Sequence, residues 1–200
     1  MVKAWWLILA FLSGFALAML AEDLVLGWHE DRIEFSAPRL HFLTGKPLER
    51  LKNAAQVRFD FKITLWSGTH THVLRTSAER FVVSYDLWEE RFSVSKLQAP
   101  RKTAAHLTAP GAEAWCLEQM SMEAAGVAGS DALWARLEIR AEDGKGPFPF
   151  GRGSISETGI SLTSLVDIFS RPPQATQTHW TADAGPVTLD ELRSSPRRGS

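Results

Sequence analysis

His70-Thr71-His72 is the one place in the chain with metal-ligand character. Two imidazoles at i and i+2 project from the same face of an extended strand, where they can share one ion. A metal site needs further ligands, and none stands at a recognisable spacing from this pair. A solvated hairpin tip accounts for the same residues. Cys116 is the single cysteine, so no internal disulfide can form and no dithiol chemistry is available. In a helix it would share a face with Ala112, Trp115 and Met120, as a small buried hydrophobe does. Glu89-Glu90 and Asp190-Glu191 are adjacent pairs whose carboxylates point apart, unlike the facing carboxylates of a glycosidase. His29, His41, His106 and His179 are isolated, with no serine or cysteine nucleophile assigned to them. Gly153-Ser154 lacks the flanks of a nucleophile elbow. The glycines near it match neither a dinucleotide-binding nor a phosphate-binding loop. No catalytic, cofactor-binding or metal site is assigned, and no cofactor is expected.

The tryptophans are more informative. Trp28, Trp66, Trp88, Trp115, Trp134 and Trp180 lie beyond the N-terminal segment. Trp66 and Trp134 fall at polar-face positions of two alternating stretches. Either a second layer of packing covers them, or they form an aromatic patch for a partner. With Phe148 and Phe150, from the loop between Ala141 and Gly159, they are the expected interaction surface. That loop, rich in Gly and Pro, is too long for a tight turn.

The elements that would hold these residues are mostly strands. Val57, Phe59, Phe61, Ile63 and Leu65 alternate with Arg58, Asp60, Lys62, Thr64 and Trp66, which is the period of a strand with one buried face. Leu133, Ala135, Leu137 and Ile139 repeat the pattern. Phe81, Val83 and Tyr85 form a third set, and Phe92 with Val94 a fourth, with Asp86 to Glu90 as the hairpin connection. Ser67-Gly68-Thr69 leads to a strand near His72 to Arg75. Leu24, Leu26 and Trp28 open the domain, followed by Ile33 and Phe35. A short helical turn is expected within Leu48 to Ala55. A helix is expected from about Pro110 to Ala125, capped by Thr108 and ended by Gly126. A second should follow Ser161 through Leu162, Leu165, Val166 and Phe169, stopped at Pro172-Pro173. The expected class is mainly β with accessory helices: an antiparallel sandwich or open barrel-like sheet carrying two amphipathic helices.

Composition bounds the rest. The chain has 200 residues, 44% hydrophobic and 22% charged, with a formal charge of −1. Such a balance gives no electrostatic footprint for nucleic acid or for an anionic membrane surface. Lys3, an apolar run from Trp5 to Leu20, and Ala16-Leu17-Ala18 make residues 1–21 a secretory signal peptide or an N-terminal membrane anchor. At about 16 residues the run is short of the ~20 that span a bilayer. Residues 22–193 are expected to form a single β-rich domain and 194–200 a disordered tail. The protein is therefore expected outside the cytoplasm, periplasmic or extracellular, with membrane contact only through residues 5–20 if they are retained.

The segment Phe81-Val82-Val83-Ser84-Tyr85-Asp86-Leu87-Trp88-Glu89-Glu90-Arg91-Phe92-Ser93-Val94 resembles a hairpin in a family of exported bacterial proteins built on a domain of unknown function. The likeness extends from Ile33 to Phe169. It implies export and a β-rich domain, and it brings no catalytic residues. The favoured expectation is a non-enzymatic, envelope-associated module that binds another protein. The alternatives are a periplasmic carrier or sensor of a lipid or other amphiphile, with Phe148-Pro149-Phe150 as a flap, and an enzyme of unrecognised type.

Overall fold

The computed structural model describes residues 23–68, 72–142, 169–170 and 177–195. It is mainly β, with two antiparallel sheets whose packing is open rather than closed into a barrel. The chain order is β1 (Val25–His29), β2 (Arg32–Ser36), α1 (Gly45–Lys52), β3 (Val57–Ser67), β4 (His72–Asp86), β5 (Arg91–Lys96), β6 (Lys102–Leu107), α2 (Ala109–Glu118), β7 (Met122–Glu123), β8 (Ala132–Ala141), β9 (His179–Thr188) and α3 (Leu189–Ser194). The large sheet has the order β6-β5-β4-β3-β8-β9 and the small one β1-β2-β7. No helix among the described residues is long and apolar enough to cross a membrane.

β3 organises the molecule. Val57, Phe59, Phe61, Ile63 and Leu65 are all fully buried, because period-two alternation puts every one of them on the same face. Register carries this face across the sheet. Phe59 pairs with Phe81 and Ala141, and Ile63 with Ser77 and Leu137. One core results, into which Leu26, Ile33 and Phe35 of the small sheet and Ala112, Cys116 and Leu117 of α2 also pack. Helix α2 bridges β2 to β5 and β6. Thr108 caps it by accepting the Gly111 N–H at 3.2 Å, and Pro110 stands in its first turn, where the missing donor costs nothing.

Three sequence expectations change. Helix α2 ends at Glu118 rather than near Ala125. Beyond it, Met120, Met122 and Ala124 are buried at period two, and Met122 and Glu123 pair with Ile33 and Arg32 of β2. The apolar spacing fits both periods, and pairing with β2 decides it. The separate strands expected near His72 and at Phe81 are one 15-residue strand, β4. β6, β9 and α3 have no counterpart in the expectations. α3 is fixed by a capping box in which Thr188 Oγ1 accepts the Glu191 N–H and Glu191 Oε2 accepts the Thr188 N–H. The leader expected at residues 1–21 lies outside the described residues. So does the helix expected after Ser161, apart from Phe169 and Ser170.

β9 shows how tightly the sheet closes on its neighbour. Its register with β8 shifts between Leu133 and Ala135, and Gly185 sits there at φ +107°. A Cβ at Gly185 would collide with the Leu133 carbonyl oxygen and stand 3.1 Å from Trp134 Cα. Gly185→Ala is therefore expected to cost more than about 1 kcal/mol. A fall in the urea midpoint at unchanged slope would register it.

Candidate functional site

The second face of the large sheet is charged yet substantially covered. Asp60, Thr64, Arg80 and Arg140 are buried there. The carboxylate of Asp60 accepts from Arg80 Nε at 2.5 Å and from a second guanidinium nitrogen at 2.9 Å. Lys62 Nζ meets Glu138 at 3.0 Å, and Arg136 grips Asp183 at 2.6 and 3.1 Å. Each is a cross-strand pair dictated by register. Phe169 lies on this face, its ring 4.6 Å from the Arg140 guanidinium and 5.6 Å from Lys62 Nζ.

The two polar-face tryptophans end the same face. Trp66 pairs with Trp134 on one side and Val73 on the other, so the three form a row across β4, β3 and β8. Trp66 and Trp134 are half-buried, while Val73 is 54% exposed. Phe148 and Phe150, expected beside them, lie outside the described residues. So does His70, whereas His72 opens β4 and is exposed.

The largest exposed apolar group among the described residues is at the opposite end of β4. Leu87 and Trp88 occupy the β4–β5 turn and are 52% and 97% exposed. The turn holds them outward. Asp86 Oδ1 accepts the Trp88 N–H at 2.8 Å and the Glu89 N–H at 3.1 Å, and Glu90 takes a left-handed φ of 54° before β5 begins. The N–H groups of Glu89 and Trp88 hold the Asp86 carboxyl below its ordinary range. His106 Nδ1 lies 2.6 Å from Glu89 Oε2 and ties the turn to β6. The sequence marks this segment as a hairpin connection and Trp88 as one of six tryptophans, without placing Trp88 in the expected interaction surface. Residue type alone does not distinguish a tryptophan on a strand from one at a turn tip.

Three titratable groups have structural surroundings: Cys116, Glu113 and Glu191. The Cys116 thiol is fully buried, and burial followed by the charge of Glu113 pushes it well above the usual thiol range. Such a thiol is inert as a nucleophile at neutral pH. Glu113 is itself buried, and its carboxylate accepts the Leu43 N–H at 2.8 Å and lies 2.9 Å from His41 Nδ1. It pins the segment before α1 to α2. Glu191 belongs to the capping box of α3. Among the described residues, no three His, Cys, Asp or Glu side chains come together as a metal site would require.

Glu79 departs from this pattern. It faces the core rim beside Lys96, with Oε1 3.0 Å from Nζ, while Oε2 is buried without a hydrogen-bond partner among the described residues. Burial pushes its carboxyl above the ordinary range, against the pull of Lys96. The folded state therefore holds this proton more tightly than the unfolded chain does. The stability that follows is full below the unfolded carboxyl pKa and is lost as pH rises through the folded one. Glu79→Gln should remove that dependence. Its urea midpoint, compared with that of the parent from about pH 4 to about pH 7, should gain on the parent as pH rises. A constant offset would contradict the assignment.

Comparison of the chain with protein-family models, curated proteins and solved structures finds no match in any of the three.

Proposed function

We propose that this is an exported, envelope-associated, non-enzymatic domain that binds another protein, and that the β4–β5 turn is its contact. The leader pattern in residues 1–21 supports export to the periplasm or beyond. The single observation that carries the binding assignment is Trp88, 97% exposed at the tip of a turn whose backbone is fixed. A tryptophan placed so contributes almost nothing to folding. Covering it removes about 150–250 Å² from water, a transfer free energy of roughly 4–6 kcal/mol before the costs of association. Fixing the turn in advance lowers those costs.

The surroundings favour protein over an anionic lipid surface. Asp86, Glu89 and Glu90 flank the apolar pair in sequence, with Arg91 next to them and His106 against Glu89, and an anionic leaflet repels a predominantly acidic cluster. The domain purified from its native host is expected to retain one protein in stoichiometric amount. Trp88→Ala should weaken that complex by at least about 30-fold, the size of a binding hot spot. Folding stability should stay within about 0.5 kcal/mol. Recovery of a bound lipid with no protein would favour the amphiphile carrier, and an unchanged complex would remove the turn from the interface.

A further inference from the structure

β4 is 15 residues long, but β5 covers only Phe81 to Asp86. The pairing ends at Arg80, whose N–H donates to Gln98 Oε1 at 2.8 Å and whose carbonyl accepts the Leu97 N–H at 3.0 Å. Both backbone groups of Arg80 thus point away from β3. In a strand, alternate residues repeat that direction, so Ala78 and Thr76 direct theirs the same way. The register shift at Leu65/Trp66 makes Leu74 the extra residue, which returns Val73 to this side. Ala78 is buried, whereas Thr76 and Val73 are exposed. Among the described residues, no strand pairs with β4 on this side from His72 to Glu79.

The free stretch borders a wide, open depression of about 450 Å³ lined by Arg75, Thr76 and Ser77 of β4, and by Arg32, Ser121, Met122 and Glu123. Its far wall is β7, itself the outermost strand of that sheet. Residues of both strands thus line one depression. Arg75 gives one nitrogen to the Ala125 carbonyl at 2.7 Å. Arg32 is held on Ser121 by two bonds, at 3.0 and 2.8 Å, and has Glu123 3.8 Å away. Two guanidinium groups against one carboxylate leave the depression cationic. The true outer edges of the large sheet are blunted: β6 carries Lys102 and a register shift against β5, and β9 carries Gly185-Pro186 within a shift of its own. The inner edge of β4 has neither lysine nor proline from His72 to Glu79.

We propose that this depression takes an extended acidic peptide segment of another protein. The segment adds as a strand to β4 at Val73–Thr76 and sets a carboxylate against Arg75. The proposal shares with the hairpin assignment only the premise that the partner is a protein. The test is selection of random peptides displayed on phage against the full chain. The enriched sequences are then synthesised and mapped by amide exchange. Enriched peptides should carry an acidic residue among β-branched ones and should slow exchange at Thr76. They should bind at least tenfold more weakly to Arg75→Met, and at least tenfold more weakly when their own backbone is N-methylated. The proposal is overturned by a selection that enriches nothing. It is equally overturned by peptides that tolerate both changes, or by protection confined to Leu87 and Trp88. The last outcome would leave the hairpin assignment standing, and failure of the hairpin assignment would leave this mapping untouched.

Discussion

Phe61→Ala is expected to destabilise the domain by about 3–5 kcal/mol, the range for deleting a large aromatic side chain from a closed core. Phe61 is fully buried at the centre of β3. Its ring stands edge-on to Phe42 at 5.2 Å and to Phe81 at 5.0 Å, and Phe42 meets Phe59 at 5.1 Å. These rings join the segment before α1 to two neighbouring strands. Removing the middle one opens a cavity with walls from three parts of the chain, which cannot collapse together. For a domain of this size the loss corresponds to a fall in Tm of roughly 10 °C. Urea and thermal unfolding of the purified variant would measure it. A loss below about 1.5 kcal/mol would mean that the aromatic cluster does not close the core as described.

Arg80→Met should be comparably damaging, by about 3–5 kcal/mol, for a different reason. The Arg80–Asp60 pair lies on the charged face of the large sheet, and both side chains are nearly inaccessible. Methionine keeps much of the stem's packing but leaves the Asp60 carboxylate buried without its bidentate donor. The pair as a unit is worth much less than either break, because desolvating both ions offsets most of their attraction. The double variant Asp60→Leu with Arg80→Met should therefore recover most of the loss. A double-mutant cycle from denaturant unfolding would show a large coupling between the two positions. Additive effects would contradict the assignment and mean that water reaches both groups.

The parts of this fold legible in the sequence are those where burial is one-sided. Val57 to Leu65 announce β3 because every second residue is large and apolar, and Leu133 to Ile139 announce β8 likewise. β6, Lys102-Thr103-Ala104-Ala105-His106-Leu107, is exposed along most of its length and has no alternation to read. β9 hides behind Gly185-Pro186, residues that ordinarily mark a turn. The pairing of Trp66 with Trp134 depends on β3–β8 register, which no local pattern in either strand states. Trp88 is the clearest case. Its neighbours mark a turn, but only the two bonds accepted by Asp86 determine that the indole is held in solvent. The depression beside β4 was illegible for a similar reason, since it exists only because β5 stops at Lys96 while β4 runs on to His72.

The most direct test of the central claim is photo-crosslinking in the native host, from an activatable amino acid placed at position 88 of the full chain. The account predicts one dominant crosslinked protein, absent when the reactive group is moved to the exposed Glu118 on α2. Crosslinking to lipid alone, or no product at position 88, would contradict it.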